Sequence, residues 1–240
     1  MSKEHGVMGA RERARTEITA SIKAEARRQL ASEGPAKLSL RAVARELGLV
    51  SSALYRYFPS RDDLLTALIV DAYDALGAAA EAALESSRTA PAPARWSAVC
   101  AAARTWALAH PQEYALIYGS PVPGYAAPQA TVVPASRIGL ALIAVARDAH
   151  RAGRLALPRV PGDLLPEARR MSADFAPDLP PSVAVTLVAA WSQLFGLISF
   201  ELFGQFNRVV EAPEAFFAHA VHRLGREVGL LDTGRGGAAN

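Results

Sequence analysis

Apolar residues recur at four-residue intervals in Ile18, Ile22, Ala26 and Leu30, the spacing that lines one face of an α-helix. That stripe predicts a helix from about Arg11 to Ser32, ended by Glu33-Gly34-Pro35. Ser39 follows as an N-cap for a short second helix, whose Leu40, Val43, Ala44 and Leu47 share a face and leave Arg41 and Arg45 outside. Gly48 stops it. A third helix is predicted from about Ser51 to Phe58, with Leu54, Phe58 and Val50 turned inward. Pro59 disfavours helical backbone at Phe58. Ser60 and Asp63 then make a capping-box-like start for a fourth helix, which carries Leu64, Leu65, Leu68, Ala72 and Leu76 toward Glu85.

After the linker SSRTAPAPA, helical periodicity returns near Arg95 to Ala109, Pro111 to Tyr118, Val132 to Arg151, Ser182 to Gln205 and Pro213 to Leu230. Two Pro/Gly-rich connections intervene, GSPVPGYAAPQ and roughly 157–181; the second is long enough to hold a short helix or to be partly disordered. No period-2 run of β-branched residues with hairpin turns is present, so the fold class is all-α. The run VAVTLVAAWSQLFGLISF is uncharged and close to the length of a membrane span. Thr186, Ser192, Gln193 and Ser199 interrupt it, its flanks lack a basic cluster and Glu201 closes it, so it reads as a buried or interface helix of a protein with no membrane partner.

Composition adds two constraints. Cys100 is the single cysteine, and the N-terminal residues lack the apolar core of a secretory signal, so a reducing, cytoplasmic setting is expected. The net charge of +3 is unevenly spread: twelve Lys or Arg face six Asp or Glu through Arg61, giving +6, and fourteen face seventeen beyond it, giving −3. A basic first quarter suits a polyanion partner, against the simpler alternative of a solvated basic surface.

Two short helices joined by Gly48-Leu49-Val50 have the spacing of a helix-turn-helix, whose second helix enters the major groove by its N-terminal end. A 100° step per residue turns Ser52, Ala53 and Arg56 away from the core and sets Ser51, Tyr55 and Tyr57 on the flanks. Small residues let the helix end approach base edges, where serine hydroxyls donate or accept. Tyrosine hydroxyls, Arg61 and the backbone N–H groups at the helix starts near Ser39 and Ser60 suit phosphate. The alternatives are that Tyr55 and Tyr57 only pack against neighbouring helices and that Arg56 is merely solvated. The organisation expected is a helix-turn-helix DNA-binding domain over 1–66 and a larger helical domain over 67–240.

The runs SLRAVARELG (Ser39 to Gly48) and ALYRYFPSRDDLL (Ala53 to Leu65) resemble the DNA-binding domain of TetR-type transcriptional regulators. The resemblance implies a homodimer on a partly palindromic double-stranded operator, usually a repressor, released when a small-molecule effector binds the C-terminal domain. It implies that Arg41 approaches a base or phosphate, that Ser51, Ser52 and Ala53 face base edges, that Tyr55 and Tyr57 contact phosphate or sugar, and that Arg61 clamps phosphate. Val50 and Ala53 stand where the family commonly has hydroxyl residues. Val50 therefore weakens the expected cap, which Ser51 would replace one residue on, and Ala53 offers a methyl suited to thymine.

The segment WALAHPQEYALIYGSPVPGY is similar to the C-terminal domain of a TetR subgroup named for Trp, His and Gly, matched to Trp106, His110 and Gly119. Trp96, Trp106, Tyr114, Tyr118 and Trp191 are candidates to line an effector cavity together with His110, which also suits a helix C-terminus; plain core packing is the alternative for each. No second ligand stands at helical spacing from His110, so neither metal nor cofactor is expected. The last two helices predict a dimer surface through Leu187, Phe195, Ile198 and Leu202 on one and Phe216, Ala220 and Leu224 on the other. An all-α enzyme lacks a clustered nucleophile and base or a phosphate loop in this sequence. A purely architectural DNA protein leaves the large second domain without a purpose.

Overall fold

The computed structural model describes residues 3–231, and their regular elements are helical: α1 Lys3–Glu33, α2 Leu40–Glu46, α3 Ser51–Leu54, α4 Arg61–Ser86, α5 Ala92–Ala109, α6 Pro111–Tyr118, α7 Val132–Arg151, α8 Leu165–Phe175, α9 Pro181–Leu202 and α10 Pro213–Val228. Two expectations on extent change. α1 starts at Lys3, well before Arg11. α3 ends as an α-helix at Leu54, because residues 55–57 tighten into turns in which Arg56 N donates to Ala53 O and Tyr57 N to Leu54 O. The approach of Pro59, which disfavours helix at Phe58, accounts for that early end. Within the connection 157–181 the chain forms α8.

The chain divides into two compact units, one comprising residues through Ala72 with 112–132, the other Tyr73–Pro111 with the residues from Val133 onward. The boundary expected near Ala67 lies inside α4, which runs unbroken from one unit to the other.

In the first unit, Ile22, Ala26 and Leu30 of α1 meet Leu40 and Val43 of α2, Leu54 and Phe58 of the α3 turn, and Leu64, Leu65 and Leu68 of α4. Val122 joins this cluster, with Leu116 and Tyr125 packed against it. Each fully buried leucine is worth about 1.5–3 kcal/mol relative to its exposed state. Polar ties add register: Asp71 accepts from Lys23 Nζ and Arg27 Nη2, both at 2.7 Å, and Arg27 Nε reaches Glu113 at 3.0 Å. Thr66 and Tyr125 share a hydroxyl hydrogen bond of 2.9 Å.

In the second unit, α10 packs on α5 and α9, α5 on α9, and α8 on α9. Trp96 is fully enclosed, its indole N–H donating to Val221 O at 3.1 Å. Arg104 on α5 makes a two-point contact with Glu201 on α9, Nε at 2.7 Å and Nη2 at 2.5 Å, beneath the ring of Phe217. Little solvent reaches this pair, so removing one partner would leave a poorly compensated charge. α9 is long and apolar enough to cross a membrane, as is the helical stretch ending in α7, but α9 turns Val183, Ala184, Leu187, Leu194, Phe195 and Ile198 into the protein interior.

Candidate functional site

The helix-turn-helix is built from local signals that the structure uses directly. Ser39 caps α2 by accepting from Ala42 N, and its own N–H donates to Gln29 Oε1, so a buried glutamine on α1 fixes the start of α2. Gly48 ends α2 with φ 65°, a left-handed conformation that a side chain would strain. Ser60 accepts from Asp63 N at 3.1 Å and donates to Asp63 Oδ2 at 2.6 Å, closing the capping box that opens α4.

Between these fixed ends, Leu54 and Phe58 are buried, Ser51, Ser52, Tyr55 and Arg56 are exposed, and Ala53 and Tyr57 are half-buried. The outward face thus carries two hydroxyls, a phenol and a guanidinium over two apolar anchors. Arg41 is also exposed on α2. Val50 is the exception to the predicted wheel: it is 70% exposed. Helix begins only at Ser51, so Val50 has extended backbone (φ −68°, ψ 137°), escapes the 100° progression and leaves the inward place to Leu49. As its side chain predicts, Val50 provides no cap.

Several basic residues of the first quarter are engaged internally. Arg61 Nη2 donates to Pro35 O at 2.8 Å, tying the start of α4 to the turn after α1; Lys23 and Arg27 serve Asp71. A basic residue that no motif marks, Arg15, lies beside the recognition turn, its guanidinium over the Tyr57 ring at 5.5 Å. The basic count of the N-terminal quarter was the signal for Arg15, but α1 alone does not reveal which of its arginines lies beside the recognition segment.

The six residues named for an effector cavity are divided between the two units. Trp96 is core, pressed against Gly225 of α10. Trp106 is buried and stacks on exposed His110, ring centroids 5.3 Å apart, where His110 ends α5 by donating its N–H to Trp106 O. Tyr114 is buried and tilts against Tyr118 at 5.2 Å, in the stretch grouped with the first unit. Trp191 lines an open cleft of about 210 Å³, walled by Ala135, Ser136, Gly139 and Leu140 of α7, Phe175 of α8, and Leu187 and Val188 of α9. Nearly all of that lining is apolar.

The candidate dimer residues differ in their exposure within one chain. Leu187, Phe195, Ile198 and Leu224 are buried within the single chain, so they hold α9 and α10 to their own protomer. Leu202 and Ala220 are half-buried, and Phe216 is 41% exposed. The face left open is a groove of about 430 Å³ between Gln193, Gly196, Leu197 and Phe200 of α9 and Phe216, Ala220, Arg223 and the edge of Leu224 of α10, with Phe206 bridging the edges of Phe200 and Phe216. A helix apolar on every side offers no periodic sign of which stripe faces inward.

Together these features define a helix-turn-helix DNA-binding protein with a larger helical C-terminal portion. Residues 22–68 match the family described as bacterial regulatory proteins, tetR family, and residues 96–224 match the tetracyclin repressor-like C-terminal domain. That second match does not single out the Trp-His-Gly subgroup. HTH-type transcriptional regulator Rv1816 of Mycobacterium tuberculosis strain H37Rv is 39% identical over 211 residues, which cover 83% of this chain and 87% of that protein. Among solved structures, SCO4313 aligns with a TM-score of 0.73 at 36% identity, covering 89% of this chain and 97% of its own. A protein with unknown function from Rhodococcus sp. RHA1 aligns at 0.64 and 26% identity, covering 87% and 94%. The chain belongs to the TetR family and is a DNA-binding transcriptional regulator.

Proposed function

We propose that the chain acts as a cytoplasmic homodimeric repressor, without catalytic activity, that leaves a palindromic operator when a small apolar molecule occupies the α7–α8–α9 cleft. The observation that carries the DNA-reading part is the outward face of Ser51, Ser52, Tyr55 and Arg56 over buried Leu54 and Phe58. Ser51, Ser52 and Ala53 meet base edges in this reading, while Tyr55, Tyr57, Arg41 and Arg61 grip the backbone. Arg61 would exchange or share its Pro35 contact to do so.

Pairing of two copies is supported by the open α9–α10 groove, where Phe200 remains 51% exposed in a single chain. A two-fold pairing there would make a four-helix bundle and would set two recognition turns on half-sites one DNA turn, about 34–36 Å, or a related spacing apart. The cleft supports a neutral, apolar effector, because its lining supplies little to pair a charge beyond the Ser136 hydroxyl and backbone. Such an effector acts by binding one dimer geometry better than the other.

The test is an unbiased selection from random duplexes with purified protein, followed by titration of the best site with apolar compounds. Palindromic enrichment, affinity that falls with salt, and release by at least one compound are expected. Enrichment of no sequence over random duplex at low salt would sink the reading; a selected site that persists through the compound series would remove its effector part.

A further inference from the structure

We propose that Val50 is a specificity-determining residue, which with Ala53 forms an apolar edge that recognises the 5-methyl group of a thymine in each operator half-site. The proposal rests on the reading of the outward face of the recognition turn as the surface that meets base edges.

No large apolar side chain among the described residues of the first unit is more exposed than Val50. It stands immediately before exposed Ser51 and Ser52, at the end by which a recognition helix enters the major groove. Packing at this turn is supplied by its neighbour: Leu49 N donates to Ala44 O at 2.8 Å, and the Leu49 side chain rests against the core of the first unit. Val50 opens α3 with its carbonyl, which accepts from Ala53 N at 2.9 Å, while its side chain caps nothing. Serine or threonine in the same backbone would add an N-cap hydrogen bond. For folding alone a hydroxyl residue is therefore the better choice, and the exposed valine forgoes a cap without gaining burial.

Val50 and Ala53 occupy the N-cap and third helical positions, whose side chains approach one another in the first turn of a helix. Hydroxyls there would read base edges by hydrogen bonding. This pair offers three methyl groups, with neither donor nor acceptor in its side chains. Ala53 is half-buried, so Val50 supplies the larger accessible part of the edge. In the major groove the apolar feature of a base edge is the C5-methyl group of thymine. Cytosine presents an amino donor instead, which the methyl groups would desolvate without a partner.

The test uses the full-length protein and the duplex selected from random sequence, in which a constant thymine is expected in each half-site. Each constant thymine is replaced in turn, in both half-sites, by deoxyuridine, which lacks only the 5-methyl group, and by 5-bromodeoxyuridine, which restores its bulk. Kd is measured by fluorescence anisotropy. At one position, uracil should weaken wild-type binding by about 4-fold per half-site, the equivalent of one methyl group taken out of water, and Val50→Ala binding by less than about 2-fold. Bromine should restore wild-type affinity. Val50→Ser should lose the same discrimination while its thermal midpoint stays level or rises through the gained cap, a combination that a packing role for Val50 would not produce; it also stands in for Val50→Ala if that variant does not fold. An equal uracil penalty in wild type and both variants, no penalty at any thymine, or half-sites without a constant thymine overturns the proposal alone. Enrichment of no sequence at all overturns the reading of the surface and the proposal with it.

Discussion

α3 and α9 both rest on apolar side chains, but they are specified in opposite ways. α3 is one turn held down by Leu54 and, just beyond it, Phe58, while Ser51, Ser52, Tyr55 and Arg56 face solvent. α9 runs 22 residues with apolar groups on all sides; Leu187, Leu194, Phe195 and Ile198 turn inward, whereas Trp191, Leu197 and Phe200 line open grooves. A short polar element with two anchors declares its working face. A helix with surplus apolar surface declares only that it needs cover, and the structure decides where.

The largest effects should separate those two kinds of anchoring. Phe58→Ala removes a buried ring under the recognition turn and is expected to cost roughly 3–5 kcal/mol by urea denaturation, with operator binding falling in step. On α9, Ile198→Ala should cost a comparable roughly 2–5 kcal/mol of protomer stability and leave self-association intact once the protein is folded. Phe200→Asp should do the reverse: unfolding is little changed, while the dimer weakens by about 2–4 kcal/mol, the scale of an interface hot spot. Sedimentation equilibrium checks it, and an unchanged mass at micromolar concentration would show that the α9–α10 groove is not where copies meet.

The same contrast explains what was legible in the residues. Ser39, Gly48 and Ser60 are local devices whose side-chain or backbone chemistry needs no distant partner, and the first unit follows them closely. Val50 departs from the helical wheel because it stands one residue before the helix begins. Trp96 and Trp191 are chemically alike, yet one is enclosed against Gly225, more than a hundred positions along the chain, and the other lines a cleft with residues of α7 and α8, a difference that neither ring's local sequence carries. Arg137 carried no motif at all. Its hydrogen bonds depend on Asp74 and Glu81 of α4, and its place on Gly77, which only the fold brings to it.

Within the recognition turn, smaller substitutions sharpen the division between reading and gripping. Ser52→Ala should relax base preference in a repeat selection at one position of each half-site, worth about 1–3 kcal/mol of discrimination if its hydroxyl meets a base edge. Tyr55→Phe should instead weaken all duplexes alike by about 0.5–1.5 kcal/mol, the net worth of one hydrogen bond. Arg56→Ala should lower the salt slope by about one per recognition turn if the guanidinium meets phosphate. A slope unchanged within error, with unchanged affinity, would make Arg56 a solvated bystander.

The smallest expected effect lies in the acid limb of stability, on the α4–α7 connection. Hydrogen bonds from Arg137, aided by its positive charge, hold the Glu81 carboxyl below the ordinary carboxylate range against a slight desolvation penalty. The folded chain therefore binds this proton less readily than the unfolded chain. The stabilisation is fully present above the ordinary glutamate value near 4.5 and is lost as pH falls through the lowered folded value. Glu81 is about half exposed, so solvent screening should keep the contribution below about 1 kcal/mol. Urea titrations of wild type and Glu81→Gln should diverge above pH 5 and converge on acidification. Salt at about 1 M should narrow the gap, since the Debye length there is only about 3 Å. A gap that persists at low pH and high salt would mean that Glu81 stabilises by packing its methylenes on α4, leaving its charge no measurable part in stability.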